Sequence, residues 1–178
     1  DWSSDVCSSD SANVISSLDN NFGYSIATSK DFVVISSPNA GNVRVYAHGS
    51  TTPIQVITSS NANGKFGSSI DISADGHWLY VSEPATGVVH AYTTVANTAA
   101  NLNYVKISTK TVNSNIIKTN ADGTKLFVGA PNDFNGFNQG GNVYVYTRTA
   151  NTVSSTQTIS GVFKNDNARF GTSLDIDA

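Results

Sequence analysis

Charge is what this chain has least of. Charged residues fill 13% of its 178 positions, against about 25% in an ordinary globular domain. Ser, Thr and Asn stand in their place. No basic stripe of the kind that grips a phosphate backbone is present, so no nucleic-acid partner is expected. No window approaches the roughly 18 apolar residues of a membrane-spanning helix, so this segment is not expected to insert into a membrane. Sustained helical periodicity is missing as well. Ala96–Ala100 comes nearest to it and is broken by Asn97 and Thr98. Cysteine occurs once, as Cys7.

Residues 1–10 need separate treatment. Asp1-Trp2-Ser3-Ser4-Asp5-Val6-Cys7-Ser8-Ser9-Asp10 is similar at every position to one translated reading frame of a paired-end sequencing adapter, and it is set aside as an artefact. The chain has 10 Lys+Arg against 13 Asp+Glu, and Asp1, Asp5 and Asp10 supply the whole excess, so residues 11–178 are neutral. The acidity therefore says nothing about partners. Cys7 goes with the artefact, and residues 11–178 hold neither a disulfide nor a thiolate–metal framework.

What is present is repetition. Phe66-Gly67-Ser68-Ser69-Ile70-Asp71-Ile72 leads to a turn at Ala74-Asp75-Gly76, then Leu79-Tyr80-Val81-Ser82-Glu83-Pro84, Gly87 and Val88-Val89-His90-Ala91-Tyr92. The same order runs upstream through Phe22-Gly23, Val33–Pro38, Gly41 and Val43–Tyr46. It runs downstream through Asp122-Gly123, Leu126–Pro131, Gly141 and Val143–Tyr146. Pro38, Pro84 and Pro131 fall 46 and 47 residues apart. A further copy opens at Phe170-Gly171-Thr172-Ser173-Leu174-Asp175-Ile176. Periods in the forties with several short strands per unit predict propeller blades.

Each full unit is expected to supply four strands; in the second they are Ser69–Ile72, Leu79–Ser82, Val88–Tyr92 and Tyr104–Ile107. Residues 13–17 read as a short strand ending an earlier unit. Asp75-Gly76 and Asp122-Gly123 fit tight reversals that need positive φ, and the three prolines end the second strands. On the third strands valines alternate with Arg44 and Tyr46, His90 and Tyr92, or Tyr144 and Tyr146. Large aromatics on the side that would otherwise face water imply that both faces are covered, as in stacked blades. The fold class is thus all-β: a partial propeller of about three four-stranded blades with fragments at both ends. The units lie near 22–65, 66–112, 113–169 and 170–178. Asn113-Ser114 replaces Phe-Gly in the third.

With Phe-Gly opening three of four units and Gly129-Ala130-Pro131 in the third, residues 13–178 resemble the FG-GAP repeat family, which forms the propeller head of integrin alpha subunits. Gly141-Asn142-Val143-Tyr144-Val145-Tyr146-Thr147-Arg148-Thr149 resembles its bacterial and phage-associated versions. The resemblance implies a ring of about seven blades, of which this would be a part, joined to the remaining blades of the same chain. It also implies a non-enzymatic binding or adhesion module of a secreted, cell-surface or virion protein, with a protein or carbohydrate ligand. The alternatives are a structural virion component and a propeller hydrolase. Carboxylates and histidines converging on the axial channel would favour the hydrolase.

Many family members carry a calcium loop between strands one and two. Here that loop offers Asp71, Ser73 and Asp75, with Leu79 where a later carboxylate would stand; the third unit has Lys118, which repels a cation. Asp175 and Asp177 begin a better version. Calcium needs about six to eight oxygens, so these residues read as hairpin turns and no cofactor is expected. No catalytic residue is assigned, since His48, His77 and His90 lie in loops or on a strand face, and Glu83 takes the place held by Ser37 and Ala130 in the other units, so the sequence defines no paired carboxylate for it. The recognition candidate is the insertion Asn132–Gly140, with Asp133, Phe134, Asn135, Phe137 and Asn138 offering aromatic area beside amides. The resemblance puts 61–65 and 164–169 on the same face.

Overall fold

The computed structural model describes residues 14–61, 63–94, 104–111, 116–162 and 165–176, with the side chains of 104–111 left aside. Asn113, Ser114, Asp177 and the adapter-like residues lie outside that set.

Short apolar runs between turn residues become twelve strands. They are β1 (Ile26–Thr28), β2 (Phe32–Ser37), β3 (Asn42–Ala47), β4 (Gln55–Thr58), β5 (Ile70–Ile72) and β6 (Trp78–Glu83). After them come β7 (Val88–Thr94), β8 (Tyr104–Thr111), β9 (Ile116–Thr119), β10 (Lys125–Ala130), β11 (Asn142–Thr149) and β12 (Thr152–Ser160). They form three four-stranded antiparallel sheets in simple meander order, β1–β4, β5–β8 and β9–β12. Pro84, lacking an N–H for the ladder, opens a 3-10 turn over Pro84–Thr86. Residues 14–17 are not a strand. Instead Ser17 and Asp19 accept hydrogen bonds from Arg44, which corrects the expectation there: the charge on Arg44 recruits that segment as a partner for its own blade.

The sheets stack face to face, and the period-two alternation decides which side chains meet. Val34, Val43 and Val45 of the first sheet meet Ile70, Ile72, Leu79, Val81 and Tyr92 of the second, with Phe66 in the same cluster. The second sheet turns Tyr80, Val89 and Ala91 the other way, onto Ile117, Leu126, Val128, Ala130 and Tyr146 of the third. Both faces of the middle sheet are covered by a neighbouring sheet. This is the expectation drawn from the third-strand tyrosines, and Tyr46, Tyr92 and Tyr146 are all buried.

The first strands lie side by side, β1 against β5 and β5 against β9, and side chains tie them. The Ile70 amide donates to Ser25 Oγ (3.2 Å), and the Ile117 amide donates to Ser69 Oγ (3.1 Å). The same bond therefore recurs at each junction. The inner turns are linked too, Lys30 N–H to Ala74 O (2.9 Å) and Ala74 N–H to Ala121 O (2.8 Å).

The Phe-Gly pairs belong to these junctions. Phe66 is buried in the first interface. Gly67, at φ +89°, lies so close to the preceding blade that a Cβ would stand 2.8 Å from Ser36 Cβ and 3.1 Å from Val43 Cγ2. Gly171 repeats the arrangement against Asn142 O and Val143 of the third blade. Residues 170–176 thus begin another unit in the register of the others.

Candidate functional site

Strand alternation places the middle residue of the three-residue β1 and β5, and the third residue of the four-residue β9, on the side facing the next blade. In β1 that position is Ala27; in β5 it is Asp71, paired with Tyr80, and in β9 it is Lys118, paired with Phe127. Asp71 and Lys118 therefore follow one another along the inner strands, and Asp175, at the matching distance from Phe170-Gly171, is exposed with its charge acting on Asp71. Lys118 Nζ stands 4.0 Å from Asp71 Oδ1. Asp71 Oδ2 accepts the Thr119 amide at 2.6 Å, so the carboxylate also fastens the second blade to the third.

Burial pushes the Asp71 carboxyl above the usual carboxylate range. The Thr119 N–H and the Lys118 ammonium act against that shift, and the charge of Asp175 adds to it. A carboxylate of raised proton affinity beside an ammonium is a base and an electrophilic group in one place. Of the sequence-stated metal candidates, Asp71 is turned to blade three, whereas Asp75 accepts Ser73 Oγ (2.6 Å) and the His77 amide (2.9 Å) within its own turn. They do not converge. Among the described residues no group of three or more Asp, Glu, His or Cys side chains is placed to hold a metal ion.

A second polar cluster lies on the opposite face of the middle sheet. Glu83, the only glutamate in the chain, ends β6 on the side facing the first blade. His90 sits on β7 opposite Val81. His90 Nε2 and Glu83 Oε2 are 2.7 Å apart and both residues are buried. Ser59 Oγ donates to Glu83 Oε1 at 2.6 Å. The partner of Glu83 is thus a histidine rather than a second carboxylate. The usable signal was a glutamate closing strand two and a histidine two residues into strand three. The same third-strand position carries a carboxylate partner in each blade: Asp19 for Arg44, Glu83 for His90, and Asp133 for Tyr144, whose hydroxyl donates at 2.6 Å. The remaining histidines have local partners, His48 with Ser29 O (2.9 Å) and His77 with Thr94 Oγ1 (2.8 Å).

The insertion is laced to the link that follows β12. Asn138 N–H donates to Asp166 Oδ1 (2.9 Å), Asn167 N–H to Asn138 O (2.7 Å) and Phe170 N–H to Gly140 O (3.0 Å). Asn135 Nδ2 donates to Gly141 O (2.9 Å) and braces the loop from within. Phe134 is 69% exposed, while Phe137 is half-buried. Asp133 and Asn135 are thus structural partners, and Phe134 alone of the five presents a large apolar surface.

No helix among the described residues is long and apolar enough to cross a membrane. No family model matches the chain, and no curated protein matches it by sequence. Solved structures do match. A candidate 6-phosphogluconolactonase from Bacteroides uniformis superposes with a TM-score of 0.59 at 17% identity, over 73% of this chain and 37% of that one. The Swd1 β-propeller domain of Myceliophteria thermophila gives 0.58 at 12%, over 76% and 40%. The periplasmic gluconolactonase PpgL of Pseudomonas aeruginosa gives 0.55 at 18%, over 72% and 36%. The chain spans 36–40% of the length of these three structures. These likenesses correct the expectation of a non-enzymatic adhesion module, since propellers named as lactonases stand among the solved structures it resembles. What the likeness establishes for this chain is its fold: a part of a β-propeller.

Proposed function

We propose that the chain supplies blades of a propeller hydrolase acting on lactones of sugar acids, with Asp71 as general base and Lys118 as the group that meets the developing oxyanion. The observation that carries this reading is the pairing of Asp71 with Lys118 on the inner strands, with the Asp175 charge acting on Asp71, supported by the gluconolactonase names among the structural neighbours. Asp71 takes a proton from water as its oxygen bonds to the lactone carbonyl carbon. The carbonyl oxygen, now negative, faces the Lys118 ammonium. Collapse breaks the ring C–O bond, and the ring oxygen leaves as a hydroxyl with the proton Asp71 had taken. Burial raises the proton affinity of Asp71 and so strengthens it as a base, while the Lys118 charge acts against that rise.

The arrangement also favours one substrate charge. Asp71 and Asp175 together outnumber the single Lys118 charge, so a phosphorylated lactone is repelled and a neutral one is not. The test is hydrolysis of D-glucono-1,5-lactone by the 178-residue chain against the spontaneous rate. Acceleration that falls by about 10²-fold or more in Asp71→Asn is expected, the usual worth of a general base. No acceleration, or an equal rate in the variant, overturns the reading.

A further inference from the structure

Where β4 ends and the chain crosses to the second blade, a cleft of roughly 360 Å³ opens between the first two blades, whose lining includes Ile57, Ser59, Phe66, Glu83, His90 and Tyr92. That volume lies near the lower end for small-molecule sites, about 300–1,000 Å³.

Packing alone does not call for a carboxylate here. The equivalent positions hold Ser37 and Ala130, both fully buried, so a small side chain suffices to close a blade at this point. The second blade instead holds Glu83, and the neighbouring loop is shaped around it. A Cβ on Gly64 would overlap Glu83 Oε1 at 1.9 Å. Ser59 and His90 hold the two carboxylate oxygens in place. Tyr92 lies beside them, its phenol pushed up by burial and then by the Glu83 charge. The His90 ring meets Phe66 edge-on at 5.3 Å.

We propose that this cleft binds one neutral polyhydroxylated molecule of monosaccharide size. Its hydroxyls bond to Glu83, Ser59 and Tyr92, and its apolar side rests on Ile57 and Phe66. The lining selects this class by elimination. A single carboxylate offers too few oxygens for a divalent cation. The same carboxylate repels an anion, and a hydroxyl-rich wall leaves an apolar ligand facing unsatisfied groups. A pyranose matches both halves of the lining. The site faces the first blade, whereas Asp71 faces the third, so it stands independently of the hydrolase reading.

The experiment is an NMR titration of the 178-residue chain with methyl β-D-glucopyranoside, following amide shifts. Saturable shifts at Ser59, Phe66, His90 and Tyr92 are expected, with affinity weakened at least fivefold in Glu83→Gln and threefold in Tyr92→Phe. The second variant removes only a hydroxyl and decides the matter if the first does not fold. Absence of saturable shifts at these residues, or affinity unchanged in the folded variants, overturns the proposal. Because the readout is binding, failure of lactone hydrolysis leaves this outcome unaffected.

Discussion

Asp71 accepts the backbone amide of Thr119 at 2.6 Å, so a side chain of one blade's inner strand completes the hydrogen bonding of the next blade's. The contact explains how a carboxylate stays buried beside a hydrophobic interface. It also gives the acid–base candidate a fixed orientation, since Ser69 holds Ile117 two residues earlier on the same pair of strands.

The proton affinity of Asp71 is raised by burial, so its effect on stability has a definite sign. A carboxyl with a raised folded-state pKa contributes most below the unfolded value of about 3.9 and loses that contribution as pH rises through the folded value. Asp71→Asn, which keeps an acceptor for Thr119, is therefore expected to gain stability relative to the parent between pH 4 and pH 7. Urea unfolding at the two pH values checks this; a relative loss at pH 7 contradicts the burial of the charge.

Asp19 runs the other way. Hydrogen bonds from Arg44 and Asn42 hold its carboxyl below the usual range. Its contribution is present above the unfolded value and disappears as pH falls through the folded one. Asp19→Asn is expected to be less stable than the parent at pH 7 and to converge with it in acid, read by thermal unfolding at several pH values.

Removing one member of the Glu83–His90 pair leaves buried polar groups without their partner. Glu83→Ala is expected to cost about 2–4 kcal/mol, because the loss of a buried acceptor combines with a cavity. Glu83→Gln should cost less, as it still accepts from Ser59. Denaturant midpoints of the two variants give the comparison.

Glycine tells the same story at the junctions. Gly67→Ala meets both a positive φ and the atoms of Ser36 and Val43, whereas at Gly41 (φ +65°) nothing lies within 4 Å of the added carbon. The left-handed conformation alone costs roughly 1–2 kcal/mol. Gly67→Ala should exceed Gly41→Ala by at least about 1 kcal/mol through overpacking. Equal losses would mean the blades are not in close contact there.

The exposed ring of Phe134 makes a contrasting case. Phe134→Ala is expected to change stability by no more than about 0.5 kcal/mol. Asn135→Ala removes the bond to Gly141 O and should cost about 1 kcal/mol. Thermal melts of both variants distinguish an ornament of the loop from its brace.

Much of the architecture was legible from residues alone. Alternating valines and tyrosines, glycines at turns and prolines at strand ends are local signals, and their spacing near 46 residues sufficed to describe stacked four-stranded blades. The strand expected at 13–17 is absent over the described residues 14–17, where Ser17 and, just beyond, Asp19 instead accept hydrogen bonds from Arg44, a contact between residues some 25 positions apart.

The amino-acid order determined the strands, the turns and which side of each strand is apolar, since these follow from neighbours a few residues apart. Only the tertiary structure decided that Asp71 meets Lys118 and that Glu83 meets His90 and Ser59 over a cleft. Asp71 and Lys118 are separated by a whole blade, and their approach depends on how two sheets stack rather than on any local preference. The cleft, likewise, brings together the end of β4, Phe66 and the β6–β7 face of the next blade, which lie far apart along the chain.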